Sequence, residues 1–477
     1  MKKLLALGTT IMLTAGAVYA QAPKSPIYSR PQLPSSEALT RLNLKQGWRT
    51  YLPTDGSRDG VATVQVMGDR LYIQLRNGAV LALNADTGQT LWRSRVGQTY
   101  NVTHPLGFNF DTVFVANGSR VYGLDRATGG MKYELNVPNI PTAPPVGDAD
   151  RLYLCVTGNR LLVYSLPVPD ENDGVAPPAP AKDAKPASGP IVTNEALGIR
   201  TSALGQYYGT ESRMISPLSS VSRLNETYTP LATAYQTHLS RSAKQQLSLS
   251  WEYTTDGRLN FPPVLTLRTQ DSAGYLVLPT AKGTTYGSVK AVKALVYGFQ
   301  TEAPASAPTA QYGDIAYMSY DNATLVAMSI ESGKLLWRLP IAGANRRKPV
   351  VTDEDIYILP ARAGLYRLNR ATGEVIWQNQ KAQKFLSYNR KFVYAVDFSG
   401  ELLVLDRARG TQLSNYDVRD FVFGVDNDYT DRFYLAAHDG LLVSLHDRDY
   451  ASPVYHKQLV EEQRLQRKRM EQMKPKE

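Results

Sequence analysis

The chain has 477 residues, 43% of them hydrophobic and 20% charged, which supplies a large core and excludes a protein disordered throughout. Its formal net charge of +10 is modest for the length and spread along the chain, which argues against a nucleic-acid-binding surface. The single cysteine, Cys155, excludes an intrachain disulfide and, within Leu152-Tyr153-Leu154-Cys155-Val156, reads as a small core residue.

Met1–Ala20 has the form of an export leader: Lys2-Lys3, an apolar run from Leu4 to about Ala17, and the small-residue site Val18-Tyr19-Ala20. The run is too short to span a bilayer, so the mature chain is expected to have no transmembrane segment. No Cys lies beside the cut to take a lipid anchor, so the expected product is periplasmic or envelope-located and soluble, not a lipoprotein. Residues 21–44 follow as a flexible lead-in carrying Pro23, Pro26, Pro31 and Pro34.

From residue 45 to 447 one unit recurs. Leu83–Trp92 reads L-N-A-D-T-G-Q-T-L-W, and worn copies appear as Leu124–Tyr133, Met328–Trp337, Leu368–Trp377 and Leu405–Ser414. Apolar alternation such as Val80-Leu81-Ala82-Leu83 marks a strand with one buried face. A short polar residue (Asp86, Asp125 and Asp406 among them) and a Thr-Gly or Ser-Gly pair then supply turn chemistry: the side chain bonds backbone two residues on, and Gly accepts positive φ. Each copy is preceded by another hairpin signal, such as Asn77-Gly78, Asn117-Gly118, Gly158-Asn159, Asp321-Asn322, Ser399-Gly400 or Asp439-Gly440. The unit is therefore four short antiparallel strands that must stack radially to bury their faces, an all-β propeller.

The turn glycines set the count. Gly88 to Gly129 is 41 residues, Gly333 to Gly373 is 40, and Gly373 to Gly410 is 37. The interval Gly129 to Gly333 is 204 residues, which accommodates about three steps of about 41 plus an insertion of about 80. The expectation is eight blades, with about seven as the alternative. Trp92, Trp337 and Trp377 close clear copies, and Trp251 stands where the third outer strand resumes. Trp48 precedes the first blade and is expected to lie on a strand that completes the last, closing the ring without a free edge. All five Trp residues are thus read as packing between blades.

The third blade breaks off at an insertion, 167–247. Its first part, to Pro190, is Pro/Ala/Asp/Lys-rich and expected to be disordered; its second part is open to short helices. Its position between third and fourth strands should project it from the face bearing the Thr-Gly turns, as a docking arm or a tolerated loop. Blade four, about 262–305, has lost the Thr-Gly turn. The basic link Arg346-Arg347-Lys348 joins an outer strand to the next inner strand, which puts it on the opposite face near the channel mouth, a candidate contact for an acidic partner. The tail, 448–477, is basic and open to a helix in its first part.

Copies of the form A-x-D-x-x-T-G-x-x-x-W at this period resemble the PQQ-like repeat of quinoprotein alcohol dehydrogenases. The same repeat builds non-enzymatic envelope propellers of the BamB type, from the outer-membrane barrel assembly machine. The resemblance covers roughly 45–166 and 250–447 and speaks to fold more than function. In the enzymes it implies a quinone stacked on a Trp floor beneath two disulfide-bonded cysteines, with calcium on Glu, Asn and Asp side chains and a further Asp as base. One cysteine cannot make that ceiling, and no Trp is spare for the floor. His104, His238, His438, His446 and His456 show no metal-ligand spacing. The expectation is a non-catalytic scaffold without cofactor or metal that binds an envelope protein; a quinoprotein dehydrogenase and an envelope-polysaccharide binder are the alternatives.

Overall fold

The computed structural model describes residues 31–54, 60–99, 101–166, 247–266, 274–290 and 292–456. The predicted leader, insertion residues 167–246 and tail residues 457–477 lie outside that range.

Eight four-stranded antiparallel sheets form the molecule. Blade one is β2 (Val61–Met67), β3 (Arg70–Leu75), β4 (Ala79–Asn84) and β5 (Thr90–Arg95); blade two is β6 (Gly107–Phe108), β7 (Thr112–Asn117), β8 (Arg120–Asp125) and β9 (Met131–Asn136). Blade three is β10 (Val146–Gly147), β11 (Arg151–Val156), β12 (Arg160–Ser165) and β13 (Ser248–Thr254); blade four is β14 (Val264–Leu265), β15 (Tyr275–Pro279), β16 (Thr284–Val289) and β17 (Ala294–Gln300). Blade five is β18 (Ala310–Tyr312), β19 (Ile315–Tyr320), β20 (Thr324–Ser329) and β21 (Leu335–Pro340); blade six is β22 (Val350–Val351), β23 (Asp355–Ile358), β24 (Leu365–Asn369) and β25 (Val375–Asn379). Blade seven is β26 (Ala382–Tyr388), β27 (Phe392–Asp397), β28 (Glu401–Asp406) and β29 (Gln412–Asp417).

Blade eight joins the two ends of the ring. Its first three strands are β30 (Phe423–Gly424), β31 (Phe433–Ala436) and β32 (Leu441–Asp447), and its outer strand is β1 (Leu44–Tyr51). β1 pairs antiparallel with β32, with Leu44 opposite Asp447 and Trp48 opposite Ser444. The expected ring closure and eight-blade count are therefore both present.

The middle strands are buried on both faces, as Leu71, Tyr72 and Ile73 on β3 show, because each blade is covered by its neighbours. Eight apolar clusters occupy the eight blade interfaces among the described residues. One unites Tyr72 and Trp92 of blade one with Leu106 and Val113 of blade two. Cys155 is fully buried in the cluster between blades three and four, and burial pushes its thiol up to about 12, so it stays a neutral core group.

The lead-in needs correction. It was expected to be flexible to residue 44, yet Ser36–Arg41 forms helix α1, with the Ser35 hydroxyl accepting from the Ala38 N–H. Leu39 and Leu42 then bury against blades seven and eight, and the Gln32 N–H donates to Asp420. Prolines marked this stretch as loop, but its apolar residues find the outside of the closing seam.

Candidate functional site

Each copy's Thr-Gly turn is built locally and then used by the neighbouring blade. Asn84 Oδ1 accepts from the Asp86 and Thr87 N–H groups at 2.9 Å each. Asp125 Oδ1 accepts from Ala127 and Thr128, and Asp406 Oδ1 from Arg409. The turn acceptor in the first copy is therefore Asn84, not Asp86. Asp86 sits one step into the turn, and its carboxylate receives the Tyr455 hydroxyl at 3.4 Å. The turn ends on a glycine in the left-handed region, with φ of 71° at Gly88, 72° at Gly129, 70° at Gly333, 77° at Gly373 and 71° at Gly410.

Those glycines are seats for aromatic rings of the preceding blade. A Cβ on Gly88 would lie 2.4 Å from Trp48, one on Gly129 2.6 Å from Trp92, one on Gly373 2.7 Å from Trp337, and one on Gly410 2.5 Å from Trp377. Each indole N–H then donates to a carbonyl one residue into the same turn: Trp48 to Ala85, Trp92 to Arg126, Trp337 to Arg370 and Trp377 to Arg407, at 2.8 to 3.2 Å. Burying a ring of this size contributes roughly 4–6 kcal/mol as an upper bound. These residues hold blades together, and none of the four rings is left to floor a cofactor.

Two further interfaces, between blades three and four and between four and five, carry a modified version of the pattern. Gly333 seats Tyr297 instead of Trp, and the Tyr297 hydroxyl donates to Ile330 O at 2.7 Å. A cleft of about 400 Å³ lies beside Gly333, lined by Phe299, Tyr320, Val326, Met328 and Leu335. Trp251 faces blade four, whose turn has lost its glycine, and its indole N–H has no hydrogen-bond partner.

The chain connections sort onto two faces. The Thr-Gly turns and the links from first to second strands share one face; the second-to-third hairpins and blade-to-blade links share the other. The insertion leaves from Ser165 and returns at Ser248, which pair across β12 and β13, so it roots on the Thr-Gly face. After β32 the chain also crosses that face: Tyr455 bridges Thr430, and the His456 ring stacks on Tyr388 at 3.9 Å.

The link face carries the basic run. Buried Asn345 fixes its backbone: the side-chain amide donates to Arg347 O at 2.7 Å and Ser319 Oγ at 3.0 Å, and the Ser306 hydroxyl donates to Asn345 O at 2.7 Å. Arg346, Arg347 and Lys348 remain exposed on this fixed backbone. Arg346 pairs with Asp321 at 2.8 Å. Arg347 lies close enough to Lys384 of β26 and Asp426, just past β30, for its charge to act on both. Three successive blades can bring these groups together only at the central bore. Burial, opposed by Asp426 and assisted by Arg347, holds the Lys384 ammonium below its usual range. Asp426 keeps solvent contact, yet the enclosing protein raises its carboxyl against the pull of Arg347 and Lys384. That combination is what a narrow bore open to solvent produces. Sequence reading found the run but missed Lys384 and Asp426; laying the inner strands over one another would have shown charges where blades three to five carry Pro, Thr or Gln.

Among the described residues, no group of three His, Cys, Asp or Glu is placed to hold a metal ion, and no helix is long and apolar enough to cross a membrane. The residues present do not fit a quinone: the lone cysteine is buried between blades, and the four docked indoles are committed to turn carbonyls.

These features define a closed eight-bladed propeller of PQQ-like repeats, with an aromatic ring seated on a turn glycine at five of its eight interfaces. The chain belongs to the family described as outer membrane protein assembly factor BamB, whose model matches residues 37–166 and 278–443. No curated protein matches it. Among solved structures it is similar to BamB from Moraxella catarrhalis, at 12% identity and a TM-score of 0.54, covering 86% of this chain and 99% of that one. The computationally designed Ika8 protein aligns at 12% identity and a TM-score of 0.52, over 83% of this chain and 98% of that one. Sqt1 of Saccharomyces cerevisiae aligns at 9% identity and a TM-score of 0.52, over 81% and 95%. At such identities the structural likeness concerns the fold alone.

Proposed function

We propose that this protein is an exported, non-catalytic scaffold that binds a protein partner in the bacterial cell envelope, in a role like outer-membrane protein assembly. The observation that carries the reading is the use of the repeat's recurring parts: Trp48, Trp92, Trp337 and Trp377 are committed to neighbouring glycines, so the motif serves the ring. What remains for function is a rigid disc presenting loops on two faces, and membership of the BamB family supports an envelope setting. The leader-like Met1–Ala20 supports export.

Cross-linking and pull-down from envelope extract, with full chain and with residues 167–247 deleted, tests the reading. A specific envelope protein should be captured by the full chain, and none recovered would end the scaffold proposal. Reconstitution with PQQ and calcium should give no quinone-dependent dye reduction; turnover there would establish a dehydrogenase instead.

A further inference from the structure

We propose that the cleft between blades four and five binds a single-chain zwitterionic amphiphile, its acyl chain lying along Phe299, Val326 and Met328 and its headgroup meeting Arg338 and Glu302. This goes beyond the scaffold reading and does not rest on it.

The cleft is sorted by polarity along its length. Register sets its wall on blade five: Met328 stands opposite Leu335, Val326 opposite Arg338, and Thr324 opposite Pro340. From the Thr-Gly end at Gly333 the lining of β20 is therefore apolar as far as Val326, then polar at Thr324 and at Asn322 in the hairpin before it. Blade four gives the other wall the same order, with Phe299 first, then Gln300, Thr301 and Glu302. Met328 to Thr324 is four strand steps, about 13 Å, which suits one acyl chain of medium length. The volume of about 400 Å³ falls among those of small-ligand sites. Leu335 is 52% exposed at the opening, an apolar surface that a chain would cover.

The polar end carries one cation and one anion. Glu302 Oε2 accepts from Arg338 and from the Asn322 amide, at 3.3 Å each. The pair lies at the surface, with side chains 50% and 75% exposed, so parting it costs little. A head bearing both a phosphate and an ammonium matches it, phosphate on guanidinium and ammonium on carboxylate. A singly charged head would satisfy one partner and sit beside a like charge on the other.

The apolar walls are fixed before a ligand arrives. Tyr297 sits on Gly333, donates to Ile330 O at 2.7 Å, and stacks on Phe299 with ring centroids 6.2 Å apart. Val326 and Met328 are buried strand residues, so the ordering cost of binding falls mainly on the chain itself. A polypeptide suits the cleft less well. Laid along it, its amides would rest against Phe299, Val326 and Met328, where an unpaired polar group is costly. Methylenes meet the same walls without that cost.

The test is equilibrium dialysis of full-length protein against radiolabelled alkylphosphocholines, each kept below micelle formation. Affinity should rise from hexyl through decyl by roughly two- to fourfold per methylene, then level off beyond dodecyl, where the chain outruns the cleft. Leu335→Asp should weaken decylphosphocholine binding by about tenfold. Arg338→Gln should weaken it by about fivefold while leaving the weaker binding of decyl maltoside, whose head is uncharged, unchanged. Val375→Asp, at the matching exposed position of blade six, should bind as wild type does. Thermal melting checks folding; if Leu335→Asp misfolds, Leu335→Ala takes its place, with a loss of about threefold. No binding by wild type, or equal loss in Val375→Asp, overturns the site. Decyl maltoside or decyl sulfate binding as tightly as decylphosphocholine overturns the headgroup assignment. Acetyl-leucyl-phenylalanyl-leucine amide binding more tightly, with the same loss in Leu335→Asp, overturns the acyl assignment in favour of a polypeptide.

Discussion

At the scale of single residues, the seats between aromatic rings and turn glycines are the most sensitive points in the molecule. At Gly373, φ is 77° and Trp337 occupies the space a methyl would need, so Gly373→Ala combines backbone strain with overpacking. It should lower unfolding stability by about 2–3 kcal/mol in denaturant titration. The two kinds of indole also separate. Trp337→Phe breaks a bond to Arg370 O, whereas Trp251→Phe removes an N–H that has no partner. The first should cost about 1 kcal/mol or more beyond the second, because only there is a carbonyl left without its donor; equal costs would show the indole bond contributes little.

His456 supplies a pH dependence at the same scale. Burial against Tyr388, with Arg407 nearby, lowers it from an ordinary 6.5 to about 4, despite the opposing bond to Tyr388 O. Between those values the unfolded segment binds a proton that the docked segment does not. Docking of residues 450–456 is therefore complete above about 6.5 and is lost as pH falls toward about 4. Hydrogen exchange at Tyr455 and His456 should rise across that window, and His456→Phe should flatten it.

At the scale of elements, closure and insertion make opposite demands. β1 covers the outer edge of β32 and carries Trp48 into its seat on Gly88. Deleting residues 31–51 removes both and exposes seven residues of strand edge, so the product should associate and melt lower, as seen by light scattering and calorimetry. By contrast, β12 and β13 pair from Arg160 opposite Thr254 to Ser165 opposite Ser248, so their ends already meet. Replacing residues 167–246 with a short Asp-Gly turn should leave the melting temperature nearly unchanged; a large drop would show that the insertion braces the ring.

For the whole molecule, the physical consequence of closure is cooperativity. An open repeat array unfolds from its ends, because each unit touches only its neighbours. Here the last blade contains the first strand, so no end exists from which to fray. A single calorimetric transition is expected. Separate transitions for the two halves would show that the seam at Trp48 holds less than the other interfaces. The root of the insertion and the C-terminal crossing share one face of the disc.

The sequence by itself determined the blade and its number, since period, turn glycines and tryptophans are local features that recur at fixed spacing. It also placed Trp48 on the closing strand, because the last copy lacked an outer strand. What it misplaced was also local: in L-N-A-D-T-G the turn is accepted by Asn84, and only the backbone path distinguishes it from Asp86. Helix α1 escaped notice because its buried Leu39 and the Leu42 that caps it gain their value from a seam made at the far end of the chain. Tertiary structure alone decided which glycine receives which ring, since each seat lies in the blade after the one supplying the ring. It likewise decided the bore, where Arg347, Lys384 and Asp426 lie up to 79 positions apart in the chain and meet only because radial stacking turns successive inner strands toward one axis.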